Sequence, residues 1–255
     1  MLLAIDVGNS NTVFAAMVGP EVRGRYRTQT LRQPDAAGAY TAALEAFFAA
    51  EGLRAADFDG AILSSVVPET DGALTKAVAA VTQLSCLRVT PSLRTDMPIL
   101  LEHPETLAAD IICGCVGAMR LVKPPVAVVD MGTATTIVVL DKDGAYRGGV
   151  IAAGVKVALS ALTAGTSLLP DTHISAPGKI IATETAESLL GGAVYGAAAM
   201  ADGVVERMEQ ELGYPLATVV TGGLGGVVAP YCRRSVTYDA DLLFRGMAAL
   251  YEMNT

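Results

Sequence analysis

Apolar residues open the chain as a run from Leu2 to Val7, break at a Gly-Asn turn, and resume from Val13 to Val18. Short apolar runs bounded by turn residues predict strands. Gly19-Pro20 turns the chain into a third strand around Val22 to Thr28. From Asp35 to Ala50 the spacing is helical, with Leu44, Phe47 and Phe48 on one face. Ala61 to Val67 reads as a buried strand that stops at Pro68, and a helix from Glu69 to Val81 follows, then a short strand at Cys86 to Val89. Pro91 to Pro104 looks irregular. Pro104 stands where the first residue of a helix would, and that helix should run to about Leu121.

After Lys123-Pro124-Pro125 the pattern starts again. Strands are expected at Val126–Val129, Thr135–Leu140 and Tyr146–Ala152, separated by turns at Asp130-Met131-Gly132 and Asp143-Gly144. A helix from about Val155, a loop from Gly165 to Lys179 and a long helix from Thr185 to Leu212 follow. The chain ends with a strand at Thr218–Val220, Thr221-Gly222-Gly223, a short helix, a strand near Val236–Tyr238, and a helix from Asp241. The expected domains are therefore 1–122 and 123–255. Asp6-Val7-Gly8-Asn9-Ser10-Asn11-Thr12 and Asp130-Met131-Gly132-Thr133-Ala134-Thr135-Thr136 stand 124 residues apart, at matching places in the two halves.

Composition narrows the chemistry. Apolar residues make up 52% and there is no Trp, so the core is one of Val, Ile, Leu and Ala, as in α/β proteins. The net charge of −8, with no basic cluster beyond Arg233-Arg234, argues against nucleic acid as a partner. No stretch approaches the ~20 uninterrupted apolar residues of a membrane span, and the opening apolar run meets Asp6 too early for a signal peptide. Cys86, Cys113, Cys115 and Cys232 lack zinc spacing, and the expectation is a reduced, cytoplasmic protein.

A buried strand ending in Asp-x-Gly puts a carboxylate where the sheet opens to solvent. The glycine lets a ligand approach the backbone, and the following polar residues offer N–H and hydroxyl donors. Such a loop can wrap phosphate oxygens while the Asp serves Mg2+, and two of them across a cleft would grip a polyphosphate. Neither G-x-x-x-x-G-K-[ST] nor a strand followed by G-x-G-x-x-G is present. Thr221-Gly222-Gly223 offers bare backbone that either admits an adenosine or serves a tight turn. Asp141-Lys142-Asp143-Gly144 reads as a hairpin turn rather than a calcium loop. Asp110 is the one charge in LAADIICGCVGAM, from Leu107 to Met119. A carboxylate there is either on an exposed edge or a general base whose pKa is raised by desolvation.

With these pieces placed, the chain resembles the type III pantothenate kinases, also known as the Bvg accessory factor family, within the acetate and sugar kinase, heat-shock chaperone and actin superfamily. The resemblance is carried by IDVGNSNT near the start, SSVVP at 64–68, VVDMGTATT at 128–136, GAYRGGVIAAG at 144–154, LLP at 168–170, TAESLLGGAVYG at 185–196 and TGGL at 221–224. It implies two duplicated RNase H-like (actin-like ATPase) α/β domains with a cleft between them, and a homodimer. It also implies that Asp6, Val7, Gly8, Asn9, Ser10, Asn11, Thr12 and Val13 bind ATP phosphates and Mg2+, with contacts from Thr133, and it places Gly222 and Gly223 in the nucleotide site. Asp130 falls at a monovalent cation site, for K+ or NH4+. Asp110 falls on the proton acceptor, flanked by substrate positions Leu107, Ala108, Ala109 and Ile111, while Thr166 and Thr185 fall near pantothenate.

The departures cluster around that acceptor. The family's usual Gly-Ala-Asp-Arg reads Ala108-Ala109-Asp110-Ile111, its Tyr-x-Asn-Pro tyrosine and asparagine read Leu101 and His103, and its glycine before Thr185 reads Ala182. Three readings stay open: a pantothenate kinase with an altered acceptor wall, a kinase for another hydroxylated small molecule, and a regulatory or binding relative.

Overall fold

The computed structural model describes residues 1–33 and 36–255. The expected helix start at Asp35 lies outside the described residues. Two compact units are present, one made of Met1–Met97, Glu102–Leu121 and Asp241–Thr255, the other of Pro98–Leu101 and Val122–Ala240.

The first unit is built on strands β1 (Leu2–Val7), β2 (Asn11–Val18), β3 (Glu21–Gln29), β4 (Gly60–Ser65) and β5 (Cys86–Arg88), in the order β3-β2-β1-β4-β5. The first three form an antiparallel meander, and β4 and β5 join in parallel. β1 is central, which explains why it reads as an unbroken apolar run rather than an alternating one. Helices α1 (Ala37–Glu51) and α2 (Pro68–Thr82) bury Tyr40, Leu44, Phe47, Leu74 and Val78 against Leu3, Ile5, Phe14 and Leu63. α1 ends at Gly52, whose positive φ of 65° turns its N–H onto the Phe48 carbonyl.

The second unit repeats the plan. β6 (Val126–Met131), β7 (Ala134–Leu140), β8 (Tyr146–Ala153), β9 (Ala217–Thr221) and β10 (Thr237–Tyr238) lie in the order β10-β9-β6-β7-β8. β6 to β8 are again an antiparallel meander, and β9 and β10 again join in parallel. The duplication suspected from two short loops therefore extends to strand order and direction. α4 (Val155–Ala164) and α5 (Thr185–Leu212) cover this sheet, with Val155, Val194, Ala198, Ala201 and Val205 packed on Ala127, Val129, Met131, Ile137 and Val139. α5 is long and apolar enough to cross a membrane by length and composition, but its inner residues pack into this core. A four-residue helix, α6 (Gly225–Val228), follows β9.

Two expectations are corrected. The helix expected to start at Pro104 is split: Pro104–Thr106 is a single 3₁₀ turn, Leu107 is extended, and α3 spans Ala109–Leu121. The proline sets up the turn, but the Thr106 hydroxyl and N–H both donate to the His103 carbonyl and close it. Asp110 consequently lies in the first turn of α3 rather than inside a longer helix. The boundary at 122/123 also fails for the last helix, α7 (Leu242–Asn254), which returns to the first unit. α7 packs on α3 backbone to backbone. A Cβ at Gly117 would lie 2.2 Å from the Leu242 carbonyl oxygen, and one at Gly246 would lie 1.8 Å from that of Cys113.

Candidate active site

In the first unit, Asp6 is the penultimate residue of β1, and the loop after it is shaped by hydrogen bonds at both ends. The Gly8 N–H donates to the Asn11 carbonyl at 2.9 Å, and the Thr30 N–H donates to Ser10 at 3.2 Å. The Thr30 hydroxyl donates to the Gly8 carbonyl at 2.7 Å and lies 3.1 Å from the hydroxyl of the fully buried Thr12. Arg32 donates to the Asn9 side chain at 2.9 Å and also approaches Glu69 at 3.3 Å. Asn9 and Ser10 are exposed at the tip, while Val7 and Thr12 are buried beneath it and Val13 is half-buried in β2. Thr30 was not singled out from sequence. Its role depends on β3 ending beside the loop, which no local pattern reports. Thr30→Val strands the Gly8 carbonyl and Thr12 hydroxyl, and is expected to cost about 1–3 kcal/mol in chemical denaturation.

The second loop is one residue shorter between its paired strand ends, since Val7 pairs with Thr12 but Met131 pairs with Thr135. Gly154 takes the place of Thr30: its N–H donates to the Thr133 carbonyl at 3.1 Å. A Cβ there would meet the Gly132 and Thr133 carbonyl oxygens at 2.3 Å, so the loop fills the space that a side chain occupies in the first unit. Asp130 is half-buried, and Gly222 packs directly on it. Gly222 has φ of 90°, and a Cβ there would lie 2.4 Å from Asp130 Oδ1 and 2.6 Å from the Met131 backbone. The Leu224 N–H donates to the Met131 carbonyl, tying the Thr221-Gly222-Gly223 turn to the end of β6. Gly223 is exposed with open space above it. The structure thus joins Asp130, Gly222 and the loop bearing Thr133.

Asp110 belongs with Asp6. The thiol of the wholly buried Cys113, one turn along α3, is pushed well above its usual pKa by burial first and then by the Asp6 carboxylate; Asp110 adds to the rise and the Ser64 hydroxyl opposes it. Cys113 therefore sits among both carboxylates and stays a thiol. Burial raises the Asp110 pKa, and N–H donation from Ile111, at 2.7 Å, only partly offsets this. Among the described residues, no cation contributes to that balance. Leu107 and Ala109 are buried beside Asp110, and Ala108 and Ile111 are half-buried. Thr166 and Thr185 lie in the second unit, both exposed. Thr166 caps its own helix turn by donating to Leu162 at 3.0 Å, and Thr185 is the first residue of α5. The Asp141 turn is a hairpin turn as expected, its carboxylate accepting the Asp143 and Ala145 N–H groups at 3.0 Å.

Two copies of a meander extended by parallel strands, each with an Asp-x-Gly loop at the tip of its central strand, define the actin-like ATPase and sugar-kinase class of fold. Solved structures with this fold include component A of (R)-2-hydroxyglutaryl-CoA dehydratase from Acidaminococcus fermentans, with a TM-score of 0.55 and 13% identity over 98% of this chain and 96% of that one. A protein from Sinorhizobium meliloti assigned to the 2-dehydro-3-deoxygalactonokinases has a TM-score of 0.60 and 16% identity, covering 99% and 96%. The sequence is more specific than the fold. The type III pantothenate kinase family model matches residues 2–207. Type III pantothenate kinases from Rubrobacter xylanophilus, 37% identical over 100% of this chain and 98% of that protein, and Moorella thermoacetica, 35% identical over the full length of both, are similar throughout. The chain belongs to the type III pantothenate kinase family.

Proposed function

We propose that this protein transfers the γ-phosphoryl group of ATP to the hydroxyl of pantothenate, giving 4'-phosphopantothenate in the first step of coenzyme A biosynthesis. The observation that carries this reading is the relation of the whole chain to pantothenate kinases, with Asp110 held in the first turn of α3. In this mechanism the loop from Asp6 to Val13 holds ATP phosphates through its N–H and hydroxyl groups, and Thr133 adds a contact. Thr221-Gly222-Gly223 leaves room for the nucleoside. Asp110 accepts the proton of the acceptor hydroxyl as its oxygen attacks phosphorus in line, the bond to the ADP oxygen breaks, and ADP leaves.

No group of three or more His, Cys, Asp or Glu suited to a metal occurs among the described residues. A nucleotide-bound Mg2+ needs only one or two protein carboxylates, because phosphates and water supply the other ligands, and Asp6 fits that demand. When bound, Mg2+ neutralises charge on the phosphates. The half-buried carboxylate of Asp130 offers oxygen to a monovalent cation, K+ or NH4+. Val150 and Ile151 on edge strand β8 and Val157 and Leu162 on α4 are exposed, which supports a homodimer that covers them. A cytoplasmic location fits a soluble metabolic enzyme.

A second reading, a kinase for another hydroxylated small molecule, is favoured by Ile111 in place of the family's arginine beside Asp110. ADP release with ATP, Mg2+ and K+ across pantothenate and other hydroxy acids and alcohols separates the two. Turnover highest with pantothenate is expected. Ile111→Arg should then lower the KM for pantothenate about tenfold or more, the worth of one charge-assisted contact. Higher turnover of another acceptor would favour the second reading, and no turnover or ATP binding at all would defeat both.

A further inference from the structure

The residue beside Asp6 on the next strand is Ser64, its register partner across the parallel β1–β4 pair. Ser64 is completely buried in a strand otherwise made largely of Gly, Ala, Ile and Leu. A hydroxyl in such a place is costly unless it is bonded. Its Oγ lies 3.4 Å from Asp6 Oδ1, and it also lies against the Cys113 thiol. The second unit repeats the placement: Thr221, 1% exposed, is the register partner of Asp130 on the parallel β6–β9 pair. Each unit thus sets a buried hydroxyl-bearing residue beside its loop aspartate, from the strand that joins in parallel.

We propose that Ser64 is the positioning residue of the phosphate-site carboxylate: its hydroxyl, donated to Asp6 Oδ1, fixes the orientation in which Asp6 serves nucleotide-bound Mg2+. Without the hydroxyl, Asp6 Oδ1 loses the contact that β4 gives it, so binding that depends on the metal suffers while metal-free nucleotide binding does not. This inference rests on the reading of Asp6 given under Proposed function.

The test is calorimetric titration of the full chain with a non-hydrolysable ATP analogue, with and without Mg2+, in wild type, Ser64→Ala and Ser64→Thr. Wild type is expected to bind more tightly with Mg2+. In Ser64→Ala that Mg2+-dependent gain should fall about tenfold, with metal-free affinity unchanged, and Ser64→Thr should retain it. An undiminished gain in Ser64→Ala overturns the proposal, and so does an equal loss with and without Mg2+, which marks a structural role. If Ser64→Ala does not fold, the nearly isosteric Ser64→Cys carries the same comparison. Absence of Mg2+-dependent binding in wild type overturns the reading of Asp6 itself, and the Ser64 proposal with it.

Discussion

Asp110→Asn is expected to lower turnover by about 10²–10⁴-fold, the usual contribution of a positioned general base, while leaving ATP affinity unchanged. The amide keeps the shape of the carboxylate but cannot take the hydroxyl proton. The same substitution should raise stability at neutral pH. Burial holds the Asp110 pKa above its unfolded value, so the folded state favours the protonated form. Its contribution is fully favourable below the unfolded pKa and is lost as pH rises through the raised folded one, so the ionised carboxylate at neutral pH is a cost that Asn removes. For the same reason the acid limb of the kcat/KM profile should lie above the ordinary aspartate range. Melting curves at pH 7 and pH–rate profiles check both signs. A less stable Asp110→Asn variant, or an acid limb at the pKa of a free aspartate, would contradict this assignment.

Gly246→Ala should be the most damaging of the small core changes. The added methyl would lie 1.8 Å from the Cys113 carbonyl oxygen and 2.7 Å from its carbonyl carbon, both backbone atoms that cannot rotate away. α7 and α3 must separate. Overpacking typically costs about 1–3 kcal/mol, against about 1 kcal/mol gained from the helix preference of Ala over Gly. A net loss of up to about 2 kcal/mol would lower the melting temperature by as much as roughly 4–8 °C in a chain of this size. Because Cys113 lies one turn from Asp110, turnover should fall as well. Gly72→Ala in α2 is the matched control: nothing lies within 4 Å of the added methyl, so a gain of up to about 1 kcal/mol is expected. Equal effects of the two substitutions in thermal denaturation would show that the close approach of α3 and α7 is not what Gly246 secures.

Much of this architecture was legible because it is local. Leu2–Val7 and Val126–Val129 announce strands through apolar runs that lead into Asp-x-Gly, and Gly19-Pro20 marks the turn into the third strand. What stayed hidden is long-range. Gly117 and Gly246 are ordinary glycines until α7 is known to return to the first unit. The break at Leu107, which moves Asp110 into a helix's first turn, depends on a turn closed by Thr106 that resembles a helix start. The two loops looked equivalent in sequence, yet Thr30 clamps one through its side chain while Gly154 admits the other by having none. Ser64 lay in view within SSVVP, but only strand register sets it beside Asp6.

The central claim is that Asp110 serves phosphoryl transfer to pantothenate. Mass spectrometry of reactions containing ATP, Mg2+, K+ and pantothenate, run with wild type and Asp110→Asn in parallel, tests it most directly. The account predicts 4'-phosphopantothenate from wild type and only traces from the variant. Wild type that binds ATP but yields no phosphorylated pantothenate, or a variant that forms it at the wild-type rate, would contradict it.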